Sequence, residues 1–142
     1  MLYFDTSYVV RLYTRDPGWE KVREKAATSS IACCIHGQAE AVGAFHRKLR
    51  EKSINQKELT EILKEFKRDC EAGAFEWLPL SSSVIDRVIR TYFTLPPTTH
   101  LPSSDAIHLA CAAENFLNEI YSNDSRLLSA SSHFGVKGTN II

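Results

Sequence analysis

Four acidic residues stand where short apolar segments of the chain begin or end. They are Asp5, Glu40, Asp105 and Asp124. Carboxylates gathered in one cleft repel one another, and they stay ionised together only if a cation neutralises them. Hard divalent ions such as Mg²⁺ and Mn²⁺ prefer oxygen ligands of this type. The chemistry that these residues predict is therefore the binding of Mg²⁺ or Mn²⁺, provided that the fold brings them together.

Each of these acids also has an ordinary structural role open to it. Asp5 and Asp124 can cap the helices that follow them, and Asp105 is a favourable charge at a helix N-terminus. Glu40 can be a solvated charge in the first turns of its helix. The metal hypothesis depends on the four occurring together, because each one alone is explained by helix chemistry.

The elements that must position these acids alternate along the chain. Five segments have the length and apolar character of strands: 1–4, 31–35, 75–80, 118–122 and 136–142. Helical patterns separate them, without an internal repeat. The first segment is apolar on both faces, as in the buried middle of a parallel sheet, and Pro79 indicates that the third strand lies at an edge or ends there. We predict an α/β fold with three α/β/α layers and a mostly parallel sheet of about five strands.

Several helix boundaries are marked by capping residues. Asp16 followed by Pro17 predicts a helix start, and Asn55 with Glu58 forms a capping box. Ser82 can cap the helix after the third strand, and Pro102-Ser103 opens the helix that carries Asp105. Gly135 closes the last helical segment.

The predicted topology brings the acids toward one edge of the sheet. Ligands of open α/β sheets lie outside the carboxyl ends of the strands. Asp5, Glu40 and Asp124 each come just after a predicted strand, so they reach this edge directly. Asp105 reaches it only if the N-terminus of its helix lies over the same edge.

Composition and charge limit the classes of protein that fit. A chain of 142 residues with 44% hydrophobic residues predicts a single domain spanning 1–142. Lys plus Arg and Asp plus Glu both number 17, so an overall attraction to nucleic acid or membrane is excluded and any polyanion contact must be local. The four cysteines show no metal or disulfide spacing. No membrane span or leader pattern is present, so we expect a cytoplasmic protein without a membrane partner.

An ordered set of motifs resembles a known family. The set comprises Phe4-Asp5-Thr6-Ser7, Glu40 at the start of its helix, the segment 105–110, Ser122-Asn123-Asp124, and Gly135 before a closing strand. In order and spacing it resembles the PIN-domain ribonucleases, above all the VapC toxins of type II toxin-antitoxin pairs. The resemblance spans the whole chain. Each motif alone is weak, and the ordered set is specific.

The resemblance implies a metal-dependent endoribonuclease that cuts single-stranded RNA or exposed RNA loops. The catalytic and metal-binding residues would be Asp5, Glu40, Asp105 and Asp124, holding one or two Mg²⁺ or Mn²⁺ ions per site. A bound ion would activate water for in-line attack on the phosphodiester, without a separate side-chain base. Thr6, Ser7 and Asn123 could orient the acids or a bound water, or merely cap helices.

The same resemblance implies partners. A cognate antitoxin protein would mask the cleft, placing an Arg near the carboxylates. A homodimer would join two local basic patches into one groove. The candidates for phosphate contacts are cationic residues near the first and second motifs: Arg11, Arg47, Lys48, Arg50 and Lys52.

Two departures from the family pattern concern the second and fourth motifs. A Ser or Thr cap usually precedes the helix of Glu40, where this chain has Cys34-Ile35-His36-Gly37, and Ser122 replaces the usual Thr. His36 could be a ligand or an acid, although a local structural role is favoured. His108 lies in a buried helical pattern, which favours a core histidine with satisfied hydrogen bonds.

Two other functions stay open. A non-catalytic PIN-like module would bind RNA or a protein without cutting, although the presence of all four acids argues against it. A haloacid-dehalogenase-like phosphatase would use Asp5 as its nucleophile, but that family generally has a second acid two residues later, where this chain has Ser7.

Overall fold

The apolar segments form one five-stranded sheet in the computed structural model, which describes all 142 residues. The strand order is β3-β2-β1-β4-β5, and every neighbouring pair is parallel. The strands are β1 Leu2–Phe4, β2 Ile31–Cys34, β3 Phe75–Leu78, β4 Glu119–Tyr121 and β5 Lys137–Thr139. The predicted edge position of the third strand is confirmed, and β1 lies at the centre.

Seven α-helices cover both faces of the sheet. They are α1 Thr6–Arg11, α2 Trp19–Ala26, α3 His36–Arg50, α4 Gln56–Glu71, α5 Ser82–Thr94, α6 Ser103–Glu114 and α7 Ser125–Ala130, which continues into a 3₁₀ turn at Ser131–Phe134. Residues of α1–α4 pack into one hydrophobic core, and residues of α5–α7 pack into the other. The predicted three-layer α/β/α fold is confirmed.

The central strand shows why the strands of this sheet are continuous apolar segments of the sequence. Tyr3 belongs to one core and Phe4 to the other, and both are fully buried. Successive side chains of a strand point to opposite faces, so a strand covered on both sides needs apolar residues at every position. The same alternation holds in β2, where Cys33 and Cys34 face different cores.

The capping predictions are partly confirmed. The capping box of Asn55 and Glu58 is present at the start of α4. The prediction of a helix start at Asp16-Pro17 was wrong: α2 begins at Trp19, after Gly18 in the left-handed region at φ 85°. The Asp16 carboxylate instead accepts hydrogen bonds from Thr14 and Lys48.

Smaller differences concern element ends. Ser81 caps α5 where Ser82 was predicted to do so. β3 ends at Leu78, two residues before the predicted end, and β5 covers only Lys137–Thr139 of the predicted 136–142. No helix of the protein combines the length and the apolar character that crossing a bilayer requires.

Candidate active site

The four acids line one cleft at the carboxyl edge of the sheet. The cleft has a volume of about 760 Å³, and only two of its 17 lining residues are hydrophobic. It includes ten of the twelve acids, orienting residues and cations predicted for the site: Asp5, Thr6, Ser7, Arg11, Glu40, Arg47, Lys48, Asp105, Asn123 and Asp124. The N-terminus of α6 lies over this edge, as the position of Asp105 requires. Arg50 and Lys52 do not line the cleft.

Asp5 is buried at the end of β1 and is held by three donors. Its Oδ1 accepts hydrogen bonds from Ser7 Oγ at 2.5 Å and from the amide of Tyr8 at 3.1 Å. Its Oδ2 accepts one from Ser122 Oγ at 2.5 Å. Burial raises the pKa of Asp5 above its ordinary value, and these hydrogen bonds offset only part of that effect. Asp5 therefore caps α1 and also belongs to the acidic cluster.

Glu40 lies in a dense shell of donors. Its Oε1 is 2.8 Å from Thr6 Oγ1, 2.7 Å from His108 Nε2 and 3.2 Å from His36 Nε2. Ser104 Oγ donates to Oε2. Burial acts to raise the pKa of Glu40, but the interactions with His108, Ser104 and Thr6 outweigh it and lower the pKa to about 2. Glu40 is therefore a firmly ionised carboxylate.

The unusual approach to α3 places Glu40 in the cleft without a side-chain cap. Ile35 occupies the N-cap position of α3 and makes no capping hydrogen bond. Gly37 lets the helix start close to β2, because a Cβ at this position would lie 2.5 Å from Cys33 Sγ. The missing Ser or Thr cap is thus accompanied by a close contact between helix and sheet that only glycine permits.

Asp105 differs from the other acids because one of its oxygens has no partner. Its Oδ2 is buried and accepts no hydrogen bond. Burial raises the pKa of Asp105 to about 6, and repulsion from Asp124, Asp5 and Glu40 contributes. A buried carboxylate oxygen without a donor is costly, and a divalent cation among these acids would satisfy it. The donor set consists of carboxylate oxygens and fits Mg²⁺ or Mn²⁺.

Asp124 combines a helix cap with a place in the cleft. Its Oδ1 accepts hydrogen bonds from the amides of Arg126 at 2.8 Å and Leu127 at 3.5 Å. The Arg126 guanidinium lies 3.4 Å from Oδ2. Burial acts to raise the pKa of Asp124, but the contacts with Arg126 prevail and lower it. The structural and the functional interpretations of this acid are compatible.

The hydroxyls and cations predicted for the site touch its acids or its rim. Arg11 donates from one guanidinium nitrogen to Ser7 O at 2.8 Å and to Asn123 Oδ1 at 3.4 Å, and the amide of Asn123 donates to Ser7 Oγ. Lys48 Nζ lies 2.5 Å from Asp16 Oδ1. Arg47 is exposed and belongs to none of the ion pairs.

Sequence reasoning assigned no role to several polar residues that contact the acids. Ser122 is fully buried; it donates to Asp5 and accepts from the amide of Asp124 at 2.9 Å. Ser104 donates to Glu40, and Arg126 contacts Asp124. The signals for Ser122 were its place at the end of an apolar run and in the fourth motif, where it replaces the usual Thr. Its contact with Asp5 spans 117 residues.

Two histidines flank Glu40. His108 is buried, as its helical pattern predicted, and its Nδ1 lies 2.8 Å from the hydroxyl of Tyr3. His36 Nε2 lies 3.3 Å from Ser104 O. The donor atoms of His36, Glu40 and His108 lie within 4.8 Å of one another, which is close enough to hold a metal ion.

Comparison with known proteins identifies the fold and the family. A search of curated proteins found no match. Among solved structures, the crystal structure of FitAcB from Neisseria gonorrhoeae superposes with a TM-score of 0.76 at 16% sequence identity, covering 99% of this chain and 97% of that one. That likeness shows the fold. The PIN domain family model matches residues 2–131, which confirms the resemblance found in the motifs. The chain therefore belongs to the PIN domain family.

Proposed function

We propose that this protein is a metal-dependent endoribonuclease that cuts phosphodiester bonds in single-stranded RNA or exposed RNA loops. The observation that carries the proposal is the convergence of four carboxylates from separate elements in one polar cleft. The unpartnered oxygen of Asp105 supports it further, because that atom needs a cation. Membership of the PIN domain family agrees with nuclease chemistry.

The roles of the residues follow from their contacts. Asp5, Glu40, Asp105 and Asp124 would hold one or two Mg²⁺ or Mn²⁺ ions, which when bound supply charge neutralisation and an activated water. Ser7 and Ser122 fix the orientation of Asp5. Thr6 and Ser104 do the same for Glu40. No side chain of the cleft is assigned as a separate general base.

The cleft suits an extended, charged substrate. Its lining is almost entirely polar, so it has no apolar pocket of the kind that encloses small ligands. Arg11, Arg47, Lys48 and Arg126 line it beside the acids. Cations at the rim can bind the phosphates on either side of the scissile bond, which positions RNA without reading its bases.

The test is cleavage of a mixed pool of single-stranded and structured RNA with Mg²⁺, Mn²⁺ or EDTA. The wild type is compared with Asp5→Asn, with Asp105→Asn and with Asp86→Asn, a control in which an exposed aspartate on α5 is changed. We expect cutting that needs metal, disappears in both site variants and survives in the control. Binding of RNA without cutting would support the non-catalytic module instead. Equal cutting by all four proteins would reveal a contaminant.

We further propose that the nuclease is the toxin of a VapC-like toxin-antitoxin pair and acts in the cytoplasm. The support is the resemblance of the ordered motifs to VapC toxins. A cognate antitoxin with an arginine side chain could neutralise the acids of the cleft. Induced expression should arrest growth, and Asp5→Asn should not. Growth unaffected by an active, well-expressed nuclease would contradict the toxin role.

We also propose a homodimer. α5 exposes Ile85, Ile89 and Phe93, which are 37%, 51% and 84% accessible and lie four residues apart on one helix face. A twofold contact would cover such a face with its own copy. Light scattering should give the mass of a dimer for the wild type and of a monomer for Phe93→Asp. A monomeric wild type would refute the proposal.

A further inference from the structure

The histidine pair beside Glu40 admits two interpretations. In the first, His36, Glu40 and His108 are three ligands of a metal ion, since their donor atoms lie within 4.8 Å of one another. In the second, both histidines donate hydrogen bonds to the Glu40 carboxylate. The two interpretations differ in the location of the hydrogen on His108, because a ring nitrogen that carries a hydrogen has no lone pair for a metal.

The hydroxyl of Tyr3 determines which ring nitrogen carries the hydrogen. It accepts a hydrogen bond from the amide of Cys34 at 3.0 Å. The Cys111 thiol is a further neighbour of this hydroxyl, but sulfur is a weak acceptor, so the hydroxyl hydrogen is directed at His108 Nδ1, at 2.8 Å. Nδ1 must therefore accept, so the hydrogen of the neutral imidazole resides on Nε2.

The other side of the ring agrees with this tautomer. Nε2 of His108 lies 2.7 Å from Glu40 Oε1 and 3.1 Å from Thr6 Oγ1. The Thr6 hydroxyl donates to Glu40, so it can only accept from His108. Both neighbours of Nε2 are acceptors, as a protonated Nε2 requires. His36 Nε2 likewise faces two acceptors, Glu40 Oε1 and Ser104 O.

We propose that Tyr3 is a positioning residue of the candidate site: it fixes the Nε2–H tautomer of His108, and His108 fixes the carboxylate of Glu40. His108 is then a donor to Glu40 and not a metal ligand. The relay links elements that carry acids, because Tyr3 precedes Asp5 by two residues and His108 follows Asp105 by three. An effect of Tyr3 on catalysis rests on the proposed nuclease function, whereas the tautomer of His108 does not.

The tautomer is tested by ¹⁵N NMR of the imidazole rings in the wild type. We expect His108 to show a protonated Nε2 and an unprotonated Nδ1, before and after addition of Mg²⁺ or Zn²⁺. A protonated Nδ1, alone or together with Nε2, would overturn the proposal. Loss of the Nε2 hydrogen on addition of Zn²⁺ would also overturn it and assign the metal site to His36, Glu40 and His108.

The positioning role is tested with Tyr3→Phe, which keeps the ring and removes the hydroxyl. The control is Tyr13→Phe, which removes a hydroxyl bonded to Asp69 away from the cleft. We expect mixed His108 tautomers and a roughly tenfold lower kcat with unchanged KM in Tyr3→Phe alone. A single Nε2–H tautomer in Tyr3→Phe, or equal kcat in the two variants, would overturn the proposal. If the wild type cuts no RNA, the spectra alone decide, and only the nuclease function fails.

Discussion

At the scale of single residues, the carboxylates of the site are in two contrasting states. Glu40 accepts hydrogen bonds on both oxygens, and its pKa falls to about 2. Asp105 keeps a buried oxygen without a donor, and its pKa rises to about 6. The ionised form of Glu40 is therefore stabilised by hydrogen bonds from the protein, whereas Oδ2 of Asp105 receives none. A divalent cation should bind most strongly to the part of the cleft around Asp105.

The raised pKa of Asp105 predicts a trade-off between stability and activity. Because the folded protein holds this proton more tightly than the unfolded chain, stability contributed by Asp105 falls as the pH rises from about 4 to about 6. Without metal at pH 7, Asp105→Asn should raise the free energy of unfolding by roughly 1 to 2 kcal/mol, allowing for partial solvent screening. It should also abolish cleavage. Urea titrations in EDTA at pH 7 and pH 4 measure the effect.

The pH dependence provides the internal control for this prediction. The advantage of Asp105→Asn should shrink at pH 4, where Asp105 of the wild type is protonated in the folded state. Mg²⁺ at pH 7 should stabilise the wild type and not the variant. An equal difference at both pH values would show that the substitution acts through packing and that the carboxylate is not strained.

The hydrogen bonds of Ser122 lead to a second prediction at the residue scale. Ser122→Ala removes the hydroxyl that holds Asp5 and accepts from the amide of Asp124. We expect a loss of about 1 to 3 kcal/mol of stability and a fall of about 10- to 100-fold in activity. Ser122→Thr keeps the hydroxyl and should retain most activity. Ser129→Ala, which loses an exposed hydroxyl on α7, is the control; equal losses in both alanine variants would contradict this role.

The four acids were predictable from the sequence, whereas the side chains that donate hydrogen bonds to them were not. Asp5, Glu40 and Asp124 follow strands, so the topology alone directs them to one edge. The donors that orient them come from distant positions: Ser104 reaches Glu40 across 64 residues, and Ser122 reaches Asp5 across 117. Serines of this kind carry no local periodicity, and only the folded arrangement gives them a role.

At the scale of elements, the placement of α3 depends on its close approach to β2. Gly37 has no Cβ, and Cys33 Sγ occupies the space that a Cβ would need. This contact sets the start of α3 and hence the position of Glu40 one turn later. The absence of a capping residue at Ile35 means that packing against the sheet, rather than a cap, fixes where the helix begins.

Gly37→Ala should therefore disturb both stability and the site. The added methyl would overlap Cys33 Sγ, which we expect to cost about 1 to 3 kcal/mol and to lower activity by displacing Glu40. Gly43→Ala in the same helix is the matched control, because no atom lies within 4 Å of its added Cβ. It should stabilise the helix by about 0.5 to 1 kcal/mol. Thermal unfolding of both variants checks the contrast; equal effects would contradict it.

The element boundaries show where local patterns fail. The capping box at Asn55 and Glu58 was predictable, because both of its partners lie within four residues. The wrong prediction of a helix start at Asp16 has a long-range cause. Lys48 of α3 binds the Asp16 carboxylate, and α2 begins after Gly18, which has a positive φ. A local cap signal was thus overridden by a contact between elements 32 residues apart.

At the scale of the whole molecule, the neutral net charge conceals a local arrangement of cations. The chain has equal numbers of basic and acidic residues, yet Arg11, Arg47, Lys48 and Arg126 all line the cleft. Five acids line the same cleft, so we expect attraction to RNA to depend on where the cations lie along the cleft and not on a net positive charge. A single domain spanning 1–142 stays a prediction for the whole molecule. Because both hydrophobic cores pack on one sheet, we expect one cooperative unfolding transition.

The salt dependence of RNA binding should arise from the cations that line the cleft. Arg47→Ala should reduce the slope of log K against log salt concentration by about 0.7, the value for one phosphate contact with a single strand. Arg50→Ala is the control on the same helix, because Arg50 lies outside the cleft. Filter binding of a non-cleavable RNA in EDTA over a range of salt measures both slopes. Equal slopes for the wild type and Arg47→Ala would remove Arg47 from the interface.

The central place of β1 has a consequence for the order in which the protein is made. β1 is the first strand synthesised, yet it pairs with β4, and one of the three hydrogen bonds to Asp5 comes from Ser122. The acidic cluster is incomplete until Asp124 has left the ribosome and β4 has docked. Pairing between distant segments is slow to form. Under the proposed nuclease function, a nascent chain that lacks β4 would therefore lack the complete acidic cluster and would not cut RNA.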